Sequence, residues 1–295
     1  IKPLDDSWEG IVISVGLRPR YSRLSPYWMA ASSIDEAMRN NSAVGGRRIS
    51  LLDNFAWGSP ERPEEMWSLL EALRACRDFA SGFGVPFVSG KDSLYNESES
   101  GPVTPTLLIT AVGVIPDVRR AVTSGLKSPG DTIYAVGVTR AEMGGSEYFA
   151  VRGIRGGSVP KVRVEESRRA MECVVRAIDE GLVAAAHDVS DGGVAVAAAE
   201  MAIAGRRGLE LDLGLLPSEG VSKDYQLLFS ESNGRFLLEA RAGAEERLES
   251  LMRSIGCRFS RIGRVSRGNR LAIRGRKRYL DVGVGELEAA WRRPP

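Results

Sequence analysis

One stretch limits the choice of fold more than any other: Val85-Pro86-Phe87-Val88-Ser89-Gly90-Lys91-Asp92-Ser93-Leu94-Tyr95-Asn96-Glu97. A short apolar run of strand type breaks into Gly-Lys-Asp-Ser. A flexible backbone, a cation, a carboxylate and a hydroxyl therefore crowd at the mouth of a buried strand. α/β proteins bind phosphates at such strand ends. The pattern is near that of the Walker A phosphate-binding loop of nucleoside triphosphatases without matching it. Gly84 and Gly90 are one residue too far apart, and Asp92 follows the lysine. Taken alone, the stretch reads equally well as a hairpin or turn after an edge strand.

At 295 residues the chain is too long for one small core, and two domains are the natural division. Forty basic against 38 acidic residues leave a net charge of +2, too little to gather nucleic acid by a long-range field. The basic clusters Arg18 to Arg23 and Arg274 to Arg278 read as solvated faces, with only Tyr21 interleaved as a stacking platform. Cys76, Cys173 and Cys257 lie far apart with no CxxC spacing. That argues against a disulfide framework or zinc site and for a reducing cytosol. No apolar stretch approaches the ~18 residues a membrane span needs. The first residue is Ile1, and the chain reads as part of something longer.

In order, Ile11 to Gly16 predicts a strand, Leu17 to Pro26 a basic loop, and Tyr27 onward a helix reaching towards Gly45. Ile49 to Leu52 predicts a strand that delivers Asp53 at its C-terminal end. Pro63-Glu64-Glu65 opens a helix with proline and acids in its first turn. Its apolar stripe is Met66, Leu69, Leu70, Leu73, Cys76 and Phe79, which makes Cys76 a core residue rather than a nucleophile. Thr106 to Ile115 reads as a long buried strand, and the first domain ends near residue 117. Residues 118–130 are a connection, and residues 131–295 form a second α/β domain. In it, strands are expected over Asp131–Val138, Val183–Ala186, Leu209–Leu213 and Phe259–Val265, with two strand segments in Leu227–Ala240. Helices are expected over Glu165–Glu180, Val194–Ala204, Ala244–Ile255 and Val284–Trp291, and a basic hairpin over Leu271–Leu280.

Two polar groupings stand out besides the opening stretch. Glu36 and Asn40 lie four apart on the first helix, where one hard cation such as Mg²⁺ could take both, or where they could form a solvated face. His187-Asp188-Val189-Ser190-Asp191-Gly192-Gly193 sits at a strand-to-helix turn, and His187 is the chain's only histidine. Backbone N–H groups and carboxylates there suit a metal-bridged phosphate. The simpler alternatives are N-capping by Ser190 or Asp191 and a hydrogen-bonded structural imidazole.

Four segments occur in order: Asp53-Asn54-Phe55-Ala56-Trp57-Gly58, Ser89-Gly90-Lys91-Asp92-Ser93, His187 to Gly193, and Phe229-Ser230-Glu231-Ser232-Asn233-Gly234-Arg235-Phe236. From about Gly10 to Trp291 the chain resembles the C-terminal catalytic half of phosphoribosylformylglycinamidine synthase, within the aminoimidazole ribonucleotide synthetase-like superfamily. The resemblance implies an α/β (α+β) two-domain unit whose first domain pairs in a dimer or pseudo-dimer. It implies an ATP- and Mg²⁺-dependent ligase of purine synthesis, which converts formylglycinamide ribonucleotide and glutamine-derived ammonia into the amidine through an iminophosphate. By position, Asp53, Gly90 and Lys91 would hold ATP or its phosphates, and Ser93 would touch substrate. Glu36, Asn40 and Asp188 would ligate metal at a second nucleotide site, with Ser190 near its phosphates. Lysine cannot ligate Mg²⁺ but can neutralise phosphate, so Lys91 departs from relatives with asparagine there. Partners implied are an N-terminal half holding the general base and a glutaminase, in the cytoplasm, with neither nucleic acid nor membrane. Alternatives are a stand-alone enzyme of the superfamily (aminoimidazole ribonucleotide synthetase, selenophosphate synthetase or thiamine-phosphate kinase) and a non-catalytic half retaining a structural nucleotide.

Overall fold

A computed structural model describes residues 1–277 and 279–293. Arg278, from the second basic cluster, and Pro294 and Pro295 lie outside the described residues. The first domain runs through β1 (Gly10–Leu17), α1 (Pro26–Ala43), β2 (Arg47–Ala56), α2 (Pro63–Phe83) and β3 (Phe87–Gly90). A ribbon of β4 (Glu97–Ser98) and β5 (Gly101–Pro102) then leads to β6 (Thr106–Ile115). Sheet order is β1-β6-β2-β3, with β2 and β3 parallel and the other pairs antiparallel. The parallel pair follows from α2, whose length returns the chain to the same edge of the sheet.

Local chemistry sets the helix limits. The Ser25 hydroxyl accepts the Trp28 amide at 3.3 Å and Pro26 opens α1. Gly84, at φ +69°, closes α2 in the left-handed conformation. Helix α1 lies so close over β1 that a Cβ on Gly16 would come within 2.0 Å of the Ser33 carbonyl oxygen.

Several expectations are corrected here. Of the stripe expected on α2, Cys76 and Phe79 turn inward, but Met66, Leu70 and Leu73 are exposed. Ala72 and Ala75 are buried instead, because small side chains bring α2 close to α1. Strand β3 is an edge strand with Val88 exposed, not a buried one. β6 is covered on one face only: Leu107, Ile109 and Ala111 are fully buried, while Leu108, Thr110 and Val112 alternate half-exposed. Opposite them on β1, Ile13 and Val15 are 56% and 50% exposed, leaving an open apolar sheet face.

The second domain contains β7 (Thr132–Val136), β8 (Thr139–Arg140), α3 (Glu147–Val151), α4 (Val164–Asp179), β9 (Val183–Asp188) and α5 (Gly193–Gly205). It continues through β10 (Gly208–Asp212), β11 (Ser218–Glu219), α6 (Asp224–Phe229), β12 (Phe236–Ala240) and α7 (Glu245–Ile255). β13 (Phe259–Ser266), β14 (Arg270–Arg274), β15 (Tyr279–Gly283) and α8 (Val284–Trp291) complete it. Seven strands form one sheet in the order β15-β14-β10-β13-β7-β12-β9. The first of the two strand segments expected between Leu227 and Ala240 is helix α6, which packs on α5 through buried Leu227. Tertiary burial there outweighs the β-propensity of the leucine and phenylalanine.

The apolar core crosses between the domains. Ile34, Leu51 and Phe55 of the first domain and Tyr134, Cys173, Phe236 and Leu248 of the second belong to one cluster. Helices α1 and α2 are thus sandwiched between the small sheet and α4 of the second domain. The other face of the large sheet has its own cluster under α5 and α8.

Substituting Gly16→Ala pushes a methyl group into the α1 backbone, which cannot yield as a side chain can. Overpacking of this kind costs about 1–3 kcal/mol. The expected result is a lowered urea midpoint with unchanged m-value, and a wild-type midpoint would contradict the close crossing described here.

Candidate functional site

The glycine-lysine loop after β3 and Asp53 meet on one edge. β2 continues past Leu52 to Ala56, so Asp53 does not end its strand as expected but lies opposite Gly90 in the parallel register. Beyond β3 the loop stays zipped to β2: the Lys91 amide donates to the Asp53 carbonyl at 2.9 Å and the Ser93 amide to the Phe55 carbonyl at 2.7 Å. A Cβ on Gly90 would fall 2.0 Å from Asp53 Oδ1, so glycine is required for the carboxylate to lie against the loop backbone. Lys91 Nζ donates to the Ser93 hydroxyl. Partial burial, with a contribution from Asp92, holds the Asp53 carboxyl above its usual range. The Asp53 carboxylate lies against the Gly90 backbone, and Lys91 bonded to Ser93 follows directly at the C-terminal end of β3 in a parallel strand pair, where open α/β sheets take ligands.

The second grouping lies between the domains and is held by arginines that local sequence patterns do not single out. Arg39, fully buried on α1, donates from Nε to Asp35 at 2.6 Å and from Nη1 to Asp188 at 2.8 Å. The same nitrogen reaches the Val189 carbonyl and the Ser190 hydroxyl, each at 3.0 Å. Asp35 also accepts the Gly234 amide at 3.1 Å, and Asn233 donates to the Ser32 hydroxyl at 3.0 Å. Arg18 donates to Glu36 at 2.9 Å and to Asp191. Arg18 and Tyr21 are 3% and 2% exposed, so this part of the Arg18 to Arg23 cluster is interior, not the solvated face expected.

Glu231 fills the place at the start of α5 where a bound anion is expected from the sequence. Its carboxylate accepts the amides of Glu147 at 2.8 Å and Gly192 at 3.0 Å and the Tyr21 hydroxyl at 2.6 Å. Neither Ser190 nor Asp191 caps α5, whose N-cap position is Gly192 at φ +70°. The signal for this arrangement is the segment Phe229 to Phe236, whose polar residues Ser230 to Arg235 lie buried in the connection between α6 and β12.

The residues assigned to magnesium do not fit a metal as they are arranged. Glu36 Oε1 faces Arg18, and Oε2 accepts the Leu17 amide at 2.8 Å. Asn40 donates to the Val15 carbonyl at 3.0 Å, and Asp188 is held by Arg39 and Ser190. Among the described residues no group of three His, Cys, Asp or Glu side chains converges on a possible metal position. Glu36 and Asp188 each already have a cation beside them, which lowers their attraction for a second one.

Family models match both domains: "AIR synthase related protein, N-terminal domain" over residues 4–115 and "AIR synthase related protein, C-terminal domain" over residues 128–276. Over 99% of its length the chain is 38% identical to a phosphoribosylformylglycinamidine synthase subunit PurL of Methanothrix thermoacetophila. It spans only 38% of that relative's length. Its fold is similar to that of T. maritima PurL complexed with FGAR, at a TM-score of 0.82 and 21% identity over 96% of this chain and 46% of that one. T. maritima PurL complexed with ATP matches at 0.77 and 21% identity, over 96% and 45%.

Arg39→Met would leave the buried Asp35 without a cation and Asp188 with only His187 beside it. Losing one partner of such a group costs about 3–5 kcal/mol. Chemical denaturation should register a loss of that size, whereas a change below about 1 kcal/mol would mean that the network contributes little.

His187 is 3.4 Å from Asp188 Oδ1 and 3.2 Å from Glu200 Oε2. Burial alone would lower its pKa, but bonding to these two carboxylates outweighs it and raises the imidazole to about 10 from the ordinary 6.5. With the folded value raised, the stabilisation is complete below 6.5 and is lost as pH rises through about 10. As the only imidazole, it gives one set of ring resonances in an NMR titration of the metal-free protein. They should remain those of imidazolium at about pH 8, and a midpoint near the ordinary value would contradict this assignment.

Proposed function

The chain belongs to the AIR synthase related protein family, and from that premise we propose that it is the second unit of an ATP-dependent C–N ligase of purine synthesis. The reaction joins ammonia derived from glutamine to formylglycinamide ribonucleotide at the expense of ATP. The amide oxygen attacks the γ-phosphorus and ADP leaves, giving an iminophosphate. Ammonia then adds to the imidate carbon and phosphate departs, giving the amidine.

The observation that carries this reading is the register that sets Asp53 against Gly90 and is followed directly by Lys91 bonded to Ser93 at the end of the β2/β3 pair. A backbone that approaches a ligand closely, a lysine to neutralise a transferring phosphoryl group and a hydroxyl to orient substrate are the parts that phosphoryl transfer asks of a protein. In this reading Asp53 and Gly90 hold the nucleotide, Lys91 the phosphates, and Ser93 the ribonucleotide substrate. Magnesium enters only as the ion that ATP brings with it, and the set Glu36, Asn40 and Asp188 is given no catalytic part. Asp188 and Ser190 serve the domain interface.

The unit spans 38% of the length of its Methanothrix relative, so the reading calls for further parts. One is an upstream unit that pairs with the open face carrying Ile13 and Val15 and supplies the general base. The other is a glutaminase that delivers ammonia. No helix among the described residues is long and apolar enough to cross a membrane. The substrates of the proposed reaction are those of the cytoplasm.

The test is reconstitution. The purified chain should form no ADP from formylglycinamide ribonucleotide, ATP and ammonia, and turnover should appear when the upstream unit is added. In that assembly Lys91→Ala should lower kcat at least about 100-fold, the order lost with one charge-stabilising group. Asp53→Asn should chiefly raise the KM for ATP. ADP formation that ignores the ribonucleotide but follows another phosphoacceptor would shift the assignment to a stand-alone enzyme of the family. An unchanged Lys91→Ala variant would remove the proposed site.

A further inference from the structure

Two of the three cysteines, far apart along the chain, meet in the second domain. Cys173 lies on α4 and is fully buried. Cys257 is half-buried and follows Gly256, which closes α7 in the left-handed conformation at φ +75°. Helix α7 packs on α4, and its end lies against the turn of α4 that precedes Cys173: a Cβ on Gly256 would stand 3.5 Å from Arg169 Nη1. Arg169 and Cys173 are four residues apart and share one face of α4. Cys257 packs on the same apolar cluster that holds Cys173. Bonding to the Cys257 thiol, with burial second, pushes the Cys173 thiol well above its ordinary range. A single buried cysteine such as Cys76 is an inert apolar residue. Two thiols in contact, one of them open to solvent, have chemistry that neither has alone.

We propose that Cys173 and Cys257 form a reversible disulfide that fastens α4 to the turn before β13, with a small-molecule disulfide as the oxidant. The Cys257 thiolate attacks one sulfur of the oxidant, whose S–S bond breaks, and the first small thiolate leaves. That thiolate takes up the proton Cys257 gave to water. Cys173 then loses its proton and attacks the Cys257 sulfur of the mixed disulfide, and the second small thiolate leaves and is protonated. Two electrons and two protons pass from the protein to the oxidant, and one S–S bond is exchanged for another. The order follows from burial: Cys173 keeps its proton and is reached only through Cys257. The chain between the two cysteines holds β9 through α7, and with them Asp188, Ser190 and Glu231 of the domain interface. Closing so long a loop restricts the unfolded chain, which makes the oxidised form the more stable one. The inference is independent of the ligase reading, since it uses neither Asp53 nor the loop from Gly90 to Ser93.

The test treats the full chain with oxidised glutathione at about pH 8, where thiolates form. The protein is then unfolded in excess N-ethylmaleimide and weighed by mass spectrometry. The untreated chain should take up three maleimides, one for each cysteine, and the oxidised chain one. Peptide mapping should place that one on Cys76 and join the peptides of Cys173 and Cys257. The melting temperature of the oxidised chain should lie about 5 °C or more above that of the untreated one, and dithiothreitol should return it. Cys257→Ser changes a half-buried side chain, and after the same treatment it should keep both remaining thiols and show no gain in melting temperature. Three maleimides on the treated wild-type chain, or glutathione retained on Cys257, would overturn the proposal. So would a cross-link in the Cys257→Ser variant, or oxidation of the pair that leaves the melting temperature where it was.

Discussion

The ion network centred on Arg39 is the constraint on which the rest of the structure depends. A guanidinium buried on α1 is shared between Asp35 of its own helix and Asp188 at the end of β9. Neither charge could lie in the interior alone, because desolvation would exceed any packing gain. The network thus demands that the two domains meet in one register. A shift of one residue along β9 would turn Asp188 to the other face of the sheet and leave Arg39 facing carbon.

Around this polar centre the apolar surfaces fall into place. Helices α1 and α2 serve two sheets' worth of core, which is why α1 is buried on almost every side and carries many alanines and serines rather than one amphipathic stripe. Crowding of that kind needs small residues at the crossings, as at Gly16, Ala72 and Ala75. The large apolar residues of α2 are displaced outward in consequence. The small sheet, covered on one face only, leaves β1 and β6 with an open apolar surface, which single soluble domains rarely carry without a partner.

The two candidate regions differ in how they hold charge. At Asp53 the groups are half-exposed and lightly bonded, with Lys91 reaching only a hydroxyl, so that they remain available to a ligand. Between the domains the carboxylates of Asp35, Glu36, Asp188 and Glu231 are taken by arginines, amides or hydroxyls. Glu231 shows the principle: two backbone amides and the Tyr21 hydroxyl, an arrangement that would suit an anion, are answered by a side chain of the protein itself. A site that supplies its own anion is built for rigidity.

Much of this is legible in the order of the residues alone. The β-branched runs, the glycine at the end of α2, the proline and acids at its start and the burial of Cys76 follow from local propensity and periodicity, which act over a few residues. So does the crowding of Gly90, Lys91 and Ser93, since their separation along the chain is short. The sequence by itself therefore determined the order of most elements, the α/β class and the two polar loops. Only the tertiary structure decided which face of each element is covered. It turned Leu70 outward, took Arg18 inside, made a helix of Asp224–Phe229 and brought Asp188 to Arg39 across 149 residues. The physical reason is that burial of charge and of apolar area depends on partners distant in the chain, and no local pattern encodes where those partners will be.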